Sequence, residues 1–193
     1  YHIERLDFEL AALVPADAPI VKVGALPVAL TRPFGVSGDI GLRGLAHIRT
    51  AIKAEMATDR PDVVMITGSP YFPMLLAGWI QHRWGVPVVL DFQDPWVTPV
   101  GASAKAGSKA WLAHRLAVAF EPKALRHAAF ITSVSDRQNL ELACRYPFLD
   151  RSRMAGRPIG GEPEDFASVR TALVHSRDRA PTVPVFSYVG TAL

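Results

Sequence analysis

A doubly wound α/β fold with a parallel sheet is the class this sequence predicts, on three observations. Short apolar runs of strand length recur along the chain, they alternate with longer stretches of helical period, and they read as continuous Val/Ile/Leu. A parallel strand is covered on both faces and so reads as an unbroken apolar run, whereas a half-exposed antiparallel strand alternates with polar residues. Strand-helix alternation then points to crossover units whose strands lie side by side. At 193 residues, 49% hydrophobic and 20% charged, the chain is long enough to bury one sizeable core of this kind.

The elements follow in order. Ile3 to Val14, IERLDFELAALV, carries apolar side chains at helical spacing, and Pro19 to Leu26 reads as a short strand with a turn behind it. After Asp39, a helix cap, residues Leu42, Leu45, Ile48, Ile52 and Met56 form one apolar stripe through DIGLRGLAHIRTAIKAEM. The strand PDVVMIT (Pro61 to Thr67), the helix SPYFPMLLAGWIQHRW (Ser69 to Trp84) and the strand VPVVLDF (Val86 to Phe92) make one right-handed parallel unit. Gln93 to Ser108 is rich in Gly, Pro, Ala and Ser and long for a connector, which predicts a functional or mobile loop. A helix runs from Lys109 to Ala128 with a pause at Pro122, then come a strand (Ala129 to Ser135), a helix start (Asp136 to Cys144) and one more short strand (Met154 to Gly160). Charged and small residues dominate Gly161 to Pro184 before VFSYVG (Val185 to Gly190) begins a new apolar strand. That shift divides the chain into a partial N-terminal domain (1–166), a linker (167–184) and the first strand of a second domain (185–193). The chain opens on Tyr1 without methionine and closes just after a strand-like stretch, so both ends are expected to be cuts through a larger protein.

Composition narrows the function classes. Lys and Arg number 21 against 18 Asp and Glu, and the charges are scattered, which suits anionic ligands or a membrane surface and not a nucleic-acid groove. No basic face with interleaved aromatics is visible, so no nucleic-acid partner is expected. The lone Cys144 leaves no internal disulfide and no multi-cysteine zinc site, and suits a reducing compartment. No base is placed beside it in any readable motif, so it reads as a buried apolar thiol. No apolar run is long enough to span a bilayer.

Chemistry is expected where the apolar strands turn polar, because ligands of open α/β sheets bind beyond the carboxyl ends of the strands. The first such end is ITGSPYF (Ile66 to Phe72), with Thr67, Gly68 and Ser69 before Pro70. Ser before Pro reads as a helix cap followed by the first helical position, Gly68 as room for a ligand near the backbone, and the free amides behind them as a site for hydroxyls or anions; a well-capped helix without a ligand is the alternative. The second end is VVLDFQDPW (Val88 to Trp96). Alternation places Asp91 and Gln93 on one face and Phe92 and Asp94 on the other. Asp94, at the exit before Pro95, is the acid better placed to meet a ligand hydroxyl, and Asp91 is the structural one. Trp96 either stacks on a sugar or covers the core, with cover the favoured reading. Two acids without a His or a third acid are a weak metal signal, and GDIGLRG follows no strand, so it fails as a dinucleotide fingerprint.

These residues carry a resemblance. PDVVMITGSPYFPMLLAGWIQHRWGVPVVLDFQDPW, EPKALRHAAFITSVSDRQ, GGEPEDF and FSYVGT, in that order and spacing, resemble successive landmarks of glycosyltransferase family 4 in its N-terminal, acceptor-side domain. The resemblance implies one half of a GT-B enzyme, in which two Rossmann-like domains face each other across a cleft. Such an enzyme transfers a sugar from a nucleotide-sugar donor with retention of configuration and without an obligatory metal or other cofactor. Gly68 and Ser69 resemble the small polar residues lining the cleft, Asp94 the acid of a strand-exit RD-x-W pattern, and Ser135 the serine of AD-x-I-x-x-S, with Glu121 opening the segment before it. Gln93 departs from the Arg or His found in relatives, which weakens any claim of a base there. Glu162 stands where relatives have Asp in the segment leading to the linker. Gly190 and Thr191 resemble the loop that approaches the donor phosphates at the start of the donor domain.

The family's remaining donor-binding residues would lie beyond Leu193, so the 193 residues alone are expected to be inactive. The acceptor is a saccharide or a lipid-linked saccharide, and the enzyme is expected in the cytoplasm, with the inner face of the membrane as an option. Trp79, His82 and Arg83 share a helical face that would suit such a surface, with Trp84 on another face; a buried crossover helix with polar residues only at its end fits the apolar residues better. A non-catalytic sugar- or nucleotide-binding protein of the same architecture is the alternative from a different class. A flavodoxin-like regulatory domain would leave FSYVGT unexplained.

Overall fold

A computed structural model describes residues 14–32 and 39–160 of the chain. The chain divides into two compact units, Tyr1–Arg157 and Pro158–Leu193. Only Pro158–Gly160 of the second unit is described, so the expected boundaries at 166/167 and 184/185, the strand at 185–190, Glu162, Gly190 and Thr191 lie outside the described residues. The expected helix over 3–14 does so too, except for Val14, which sits in a bend.

The first unit is an α/β fold of the Rossmann-like kind, with an all-parallel sheet flanked by helices. Helix α1 is a single turn (Val28–Thr31), and α2 spans Ile40–Thr58. The sheet strands are β1 (Val64–Gly68), β2 (Val88–Phe92), β3 (Phe130–Ser133) and β4 (Met154–Gly156), in the spatial order β1-β2-β3-β4. Helix α3 (Leu76–Trp84) crosses from β1 to β2, and α5 (Lys109–Leu125) from β2 to β3 after the short helix α4 (Pro99–Ala102). Helix α6 (Asp136–Arg145) crosses from β3 to β4.

Sequence signals explain most of these boundaries. Asp39 caps α2 by accepting from the Leu42 amide at 2.8 Å. Ser108 caps α5 through the Trp111 amide, and Ser135 caps α6 through the Gln138 amide. Gly85 ends α3 with φ at +68°, a left-handed conformation that costs glycine little. The core is centred on β2: Val88, Leu90 and Phe92 are fully buried and are packed by Met74, Ile80, Leu125, Ile131 and Leu142.

Several expectations fail for identifiable reasons. Pro19–Leu26 forms no strand; Ile20, Val21 and Leu26 are exposed, and no strand among the described residues pairs with the segment. At its end the backbone meets a helix instead: the Leu26 amide donates to the Arg43 carbonyl, and Arg43 Nη1 donates to the Leu26 carbonyl at 2.7 Å. The helix expected from Ser69 starts later, as a 3-10 turn over Phe72–Leu75 that continues into α3. Neither segment has a side-chain cap, so Ser69 is an exposed loop residue before it rather than its cap. The Ser-Pro signal is displaced by Pro73, which takes the first-turn position where a missing N–H is harmless. Helix α5 passes through Pro122 without a pause. Glu121, Ala124 and Leu125 are buried on either side of it, and that packing outweighs one lost backbone hydrogen bond. Cys144 is exposed, not buried, because α6 buries Gln138, Asn139 and Leu142 and position 144 falls on the opposite side of the helix.

Candidate functional site

Parallel register brings the strand ends level. Gly68 pairs with Phe92, Phe92 with Ser133, and Ser133 with Gly156, so the chain leaves the sheet at one height from all four strands. One row further in, Thr67, Asp91 and Thr132 stand side by side. The expected residues Thr67, Gly68, Ser69, Gln93, Asp94, Trp96 and Ser135 therefore all belong to one edge, the edge at which doubly wound sheets bind ligands.

Asp91 and Gln93 share a face, as alternation requires. Gln93 Nε2 donates to Asp91 Oδ2, and Thr132 Oγ1 donates to Asp91 Oδ1 at 2.7 Å. Asp91 is only 6% exposed, so its carboxylate is a satisfied buried cross-strand acceptor, and its structural reading holds. Gln93 is committed to the same bond. Asp94 is different. It is exposed, and its carboxylate has no hydrogen bond or ion pair among the described residues, while its backbone carbonyl accepts from the Tyr71 hydroxyl at 2.9 Å. The turn is thus pinned through the main chain, and the acid is left to face outward.

Tyr71 and Trp96 form the wall beside Asp94. Their rings stack at 5.3 Å with planes 11° apart, and Phe72 meets Trp96 edge-on at 5.6 Å. Trp96 is half-buried and packs on the core, which agrees with its reading as cover. The Tyr71 hydroxyl is pushed up to about 12, first by burial and then by the negative charges of Asp94 and Glu121. A side chain at Gly68 would place Cβ 2.7 Å from Tyr71 Cδ1 and 2.8 Å from Met74 Cε. Gly68 therefore makes room for Tyr71 and Met74.

Glu121 is the residue whose importance the sequence understated. Although fully buried, it accepts from the Val97 amide (3.3 Å), Arg145 Nη1 (2.9 Å) and the Tyr146 hydroxyl (2.8 Å). Arg145 Nη2 also reaches the Val97 carbonyl at 3.3 Å. These bonds fasten the segment carrying Asp94 and Trp96 to α5 and to the end of α6. Burial, followed by the Glu121 hydrogen bond, also raises the Tyr146 hydroxyl. No local motif joins positions 97, 121, 145 and 146; only the acid buried on an apolar helix hints at it.

The last strand end is built from hydroxyls. Ser135 is occupied as the cap of α6, and Ser133 Oγ lies 2.8 Å from both the Ser135 carbonyl and the Asn139 side-chain oxygen. Gly156, at the end of β4, donates its amide to Asp136 Oδ1 at 3.0 Å. Gln138 is 94% buried in the same region, with Nε2 unpartnered among the described residues. No group of three or more His, Cys, Asp and Glu side chains among the described residues could hold a metal ion.

A parallel α/β half-domain with its polar residues gathered at the carboxyl edge presents them where open α/β sheets bind ligands. Residues 2–160 match a family model described as a glycosyl transferase 4-like domain. The match covers more than half of the chain, and the chain belongs to that family: it is a glycosyltransferase domain of the family 4 type. A search of curated proteins finds no match.

Proposed function

We propose that the protein is the acceptor-side half of a retaining glycosyltransferase, which moves a hexose-like sugar from a nucleotide-sugar donor to a saccharide or lipid-linked acceptor. The carrying observation is Asp94: an exposed, unpartnered carboxylate at the exit of the central strand, on a turn fixed by Tyr71 and by the Glu121 cluster. A group held by its backbone and open at its side chain is preorganised to orient a hydroxyl. In the proposed reaction the acceptor hydroxyl attacks the anomeric carbon on the leaving-group face. The C–O bond to the nucleotide breaks, and a donor phosphate oxygen takes the acceptor proton. Asp94 then positions the acceptor or the transferred sugar and need not be a strong base. Thr67, Ser69 and Trp96 line the acceptor side, with Gly190 and Thr191 near the donor phosphates.

Further parts of this reading are that no metal or other cofactor is required, that the enzyme works in the cytoplasm at or near the inner membrane face, and that residues 1–193 alone do not turn over. The family match supports the transferase chemistry in general. In the full-length enzyme, Asp94→Asn should lower kcat/KM by about tenfold to a thousandfold while leaving the thermal midpoint within a few degrees, since the carboxylate has no partner to lose. Unchanged turnover with several nucleotide-sugars and their matching acceptors would remove Asp94 from the site.

A further inference from the structure

We propose that the groove between α2 and α3 is a docking site for an anionic phospholipid surface, with lipid phosphates on a basic rim and the glycerol and acyl region on an apolar floor. The inference extends the membrane contact suggested above and can fail separately from glycosyl transfer. It starts from the shape of the surface: a groove of about 1030 Å³. Its floor includes Leu42 and Leu45 from α2, and Leu76 and Trp79 from α3. Leu42, Leu45, Ala46, Arg49, Thr50, Lys53 and Ala57 line it at spacings of three and four, so they form one face of α2.

The rim is one-signed. Arg49 and Lys53 stand one helical turn apart on α2, and Arg83 faces them from the end of α3. All three are exposed, and among the described residues none has a carboxylate partner and no acid lines the groove. Three cations without a carboxylate partner among the described residues, around an apolar trough, complement a surface of phosphates over hydrocarbon, where a lysine or arginine contributes most and snorkels most easily. The tryptophans fit the same partner. Trp79 and Trp84 meet edge to face at 4.7 Å, so they share one amphipathic wall, although sequence spacing alone had put them on different faces. Indoles with an apolar body and a polar N–H favour the headgroup level of a bilayer.

A single-stranded nucleic acid would also want cations and aromatics, but it needs open ring faces on which bases can stack. Here Arg49 lies over Trp79 at 4.7 Å and Arg83 over Trp84 at 5.9 Å, so guanidinium groups already occupy those faces. His82, included in the face suggested by sequence, does not line the groove. The cations that replace it, Arg49 and Lys53, come from another helix altogether.

The test is cosedimentation of the 193-residue chain, and of the full-length enzyme, with vesicles of phosphatidylcholine alone or with roughly one-third phosphatidylglycerol. Each cation near such a surface changes partitioning about fivefold, so the triple variant Arg49→Gln, Lys53→Gln, Arg83→Gln should bind on the order of a hundredfold more weakly. Binding should fall with rising salt. A control triple variant on other surfaces (Lys105→Gln, Arg137→Gln, Arg151→Gln) should lose much less. All six side chains are exposed, and a thermal melt beside each assay checks that the fold persists. Trp79→Phe with Trp84→Phe should remove the blue shift of tryptophan emission that accompanies vesicle binding. Absence of vesicle binding would overturn the proposal, as would equal losses in the two triple variants. So would groove-dependent binding to a single-stranded oligonucleotide, or to a second copy of the chain, without binding to vesicles. An enzyme that transfers sugar but ignores vesicles refutes this surface alone; one that binds vesicles through the groove while Asp94→Asn leaves transfer unchanged refutes the Asp94 assignment alone.

Discussion

Replacing Glu121 by alanine tests whether one buried acid holds the site together. The side chain is fully buried, and its carboxylate satisfies three donors: the Val97 amide, Arg145 Nη1 and the Tyr146 hydroxyl. Deleting it leaves two neutral donors short of a partner, at about 1–3 kcal/mol for each that water cannot reach. It also strands the Arg145 charge. Breaking a fully buried pair costs about 3–5 kcal/mol, but the Arg145 side chain is 32% exposed and can turn to solvent, so its share falls below that range. The expected loss is about 3–5 kcal/mol, a large fraction of the roughly 5–15 kcal/mol that holds a domain folded. Glu121→Gln keeps one acceptor and should lose about 1–3 kcal/mol. Urea unfolding reads the total, and hydrogen exchange at the Val97 amide reads the local part, which should lose protection even where the sheet amides keep theirs. The double variant Glu121→Ala, Arg145→Ala should cost less than the sum of the two single changes, because the orphaned guanidinium is gone. A Glu121→Ala protein within about 1 kcal/mol of the parent, or one with an undisturbed Val97 amide, would refute the network as the anchor of the Asp94 turn.

Two more expectations come from the same edge. Gly68→Ala would push Cβ into the Tyr71 ring and Met74, and overpacking of this kind costs about 1–3 kcal/mol; an unchanged urea midpoint would show that Tyr71 has room to shift. The Tyr71 hydroxyl, raised from the ordinary 10.0 to about 12, gives a pH dependence of definite sign. Folding favours the neutral phenol, so its contribution is complete below pH 10.0 and is lost as the pH rises towards about 12, where the unfolded chain has already released the proton. Thermal midpoints followed across that window should fall less steeply in Tyr71→Phe than in the parent; parallel curves would disprove the link.

How much of the site was legible depends on whether its signal was local. Asp91 and Asp94 were separable in VVLDFQDPW because strand alternation and the proline at 95 are local facts, and the two differ in the fold as well: Asp91 is held by Thr132 and Gln93, whereas the Asp94 side chain is exposed. Ser135 was picked out as a motif residue, and its hydroxyl proves to be engaged as the cap of α6. The Ser69-Pro70 start failed because two prolines compete within four residues, and only the packing of Phe72, Pro73 and Met74 against the core selects the later one. Pro19–Leu26 failed for the converse reason: an apolar run becomes a strand only if another strand pairs with it, no strand among the described residues does so, and Leu26 bonds to the side of α2 instead.

Periodicity, caps and the order of polar strand ends were enough to determine a parallel α/β half-domain with its polar residues at one sheet edge, because each depends on neighbours within a turn or a strand; the glycosyltransferase type rested on the resemblance of its landmarks to a family. Tertiary structure alone decided what those residues touch. It set the strand ends level, brought Glu121 to Val97, Arg145 and Tyr146 across 24 or more positions of sequence, and turned Trp79 and Trp84 into one wall beside cations from another helix. Such contacts are chosen by burying surface in three dimensions, and spacing along the chain carries no record of them.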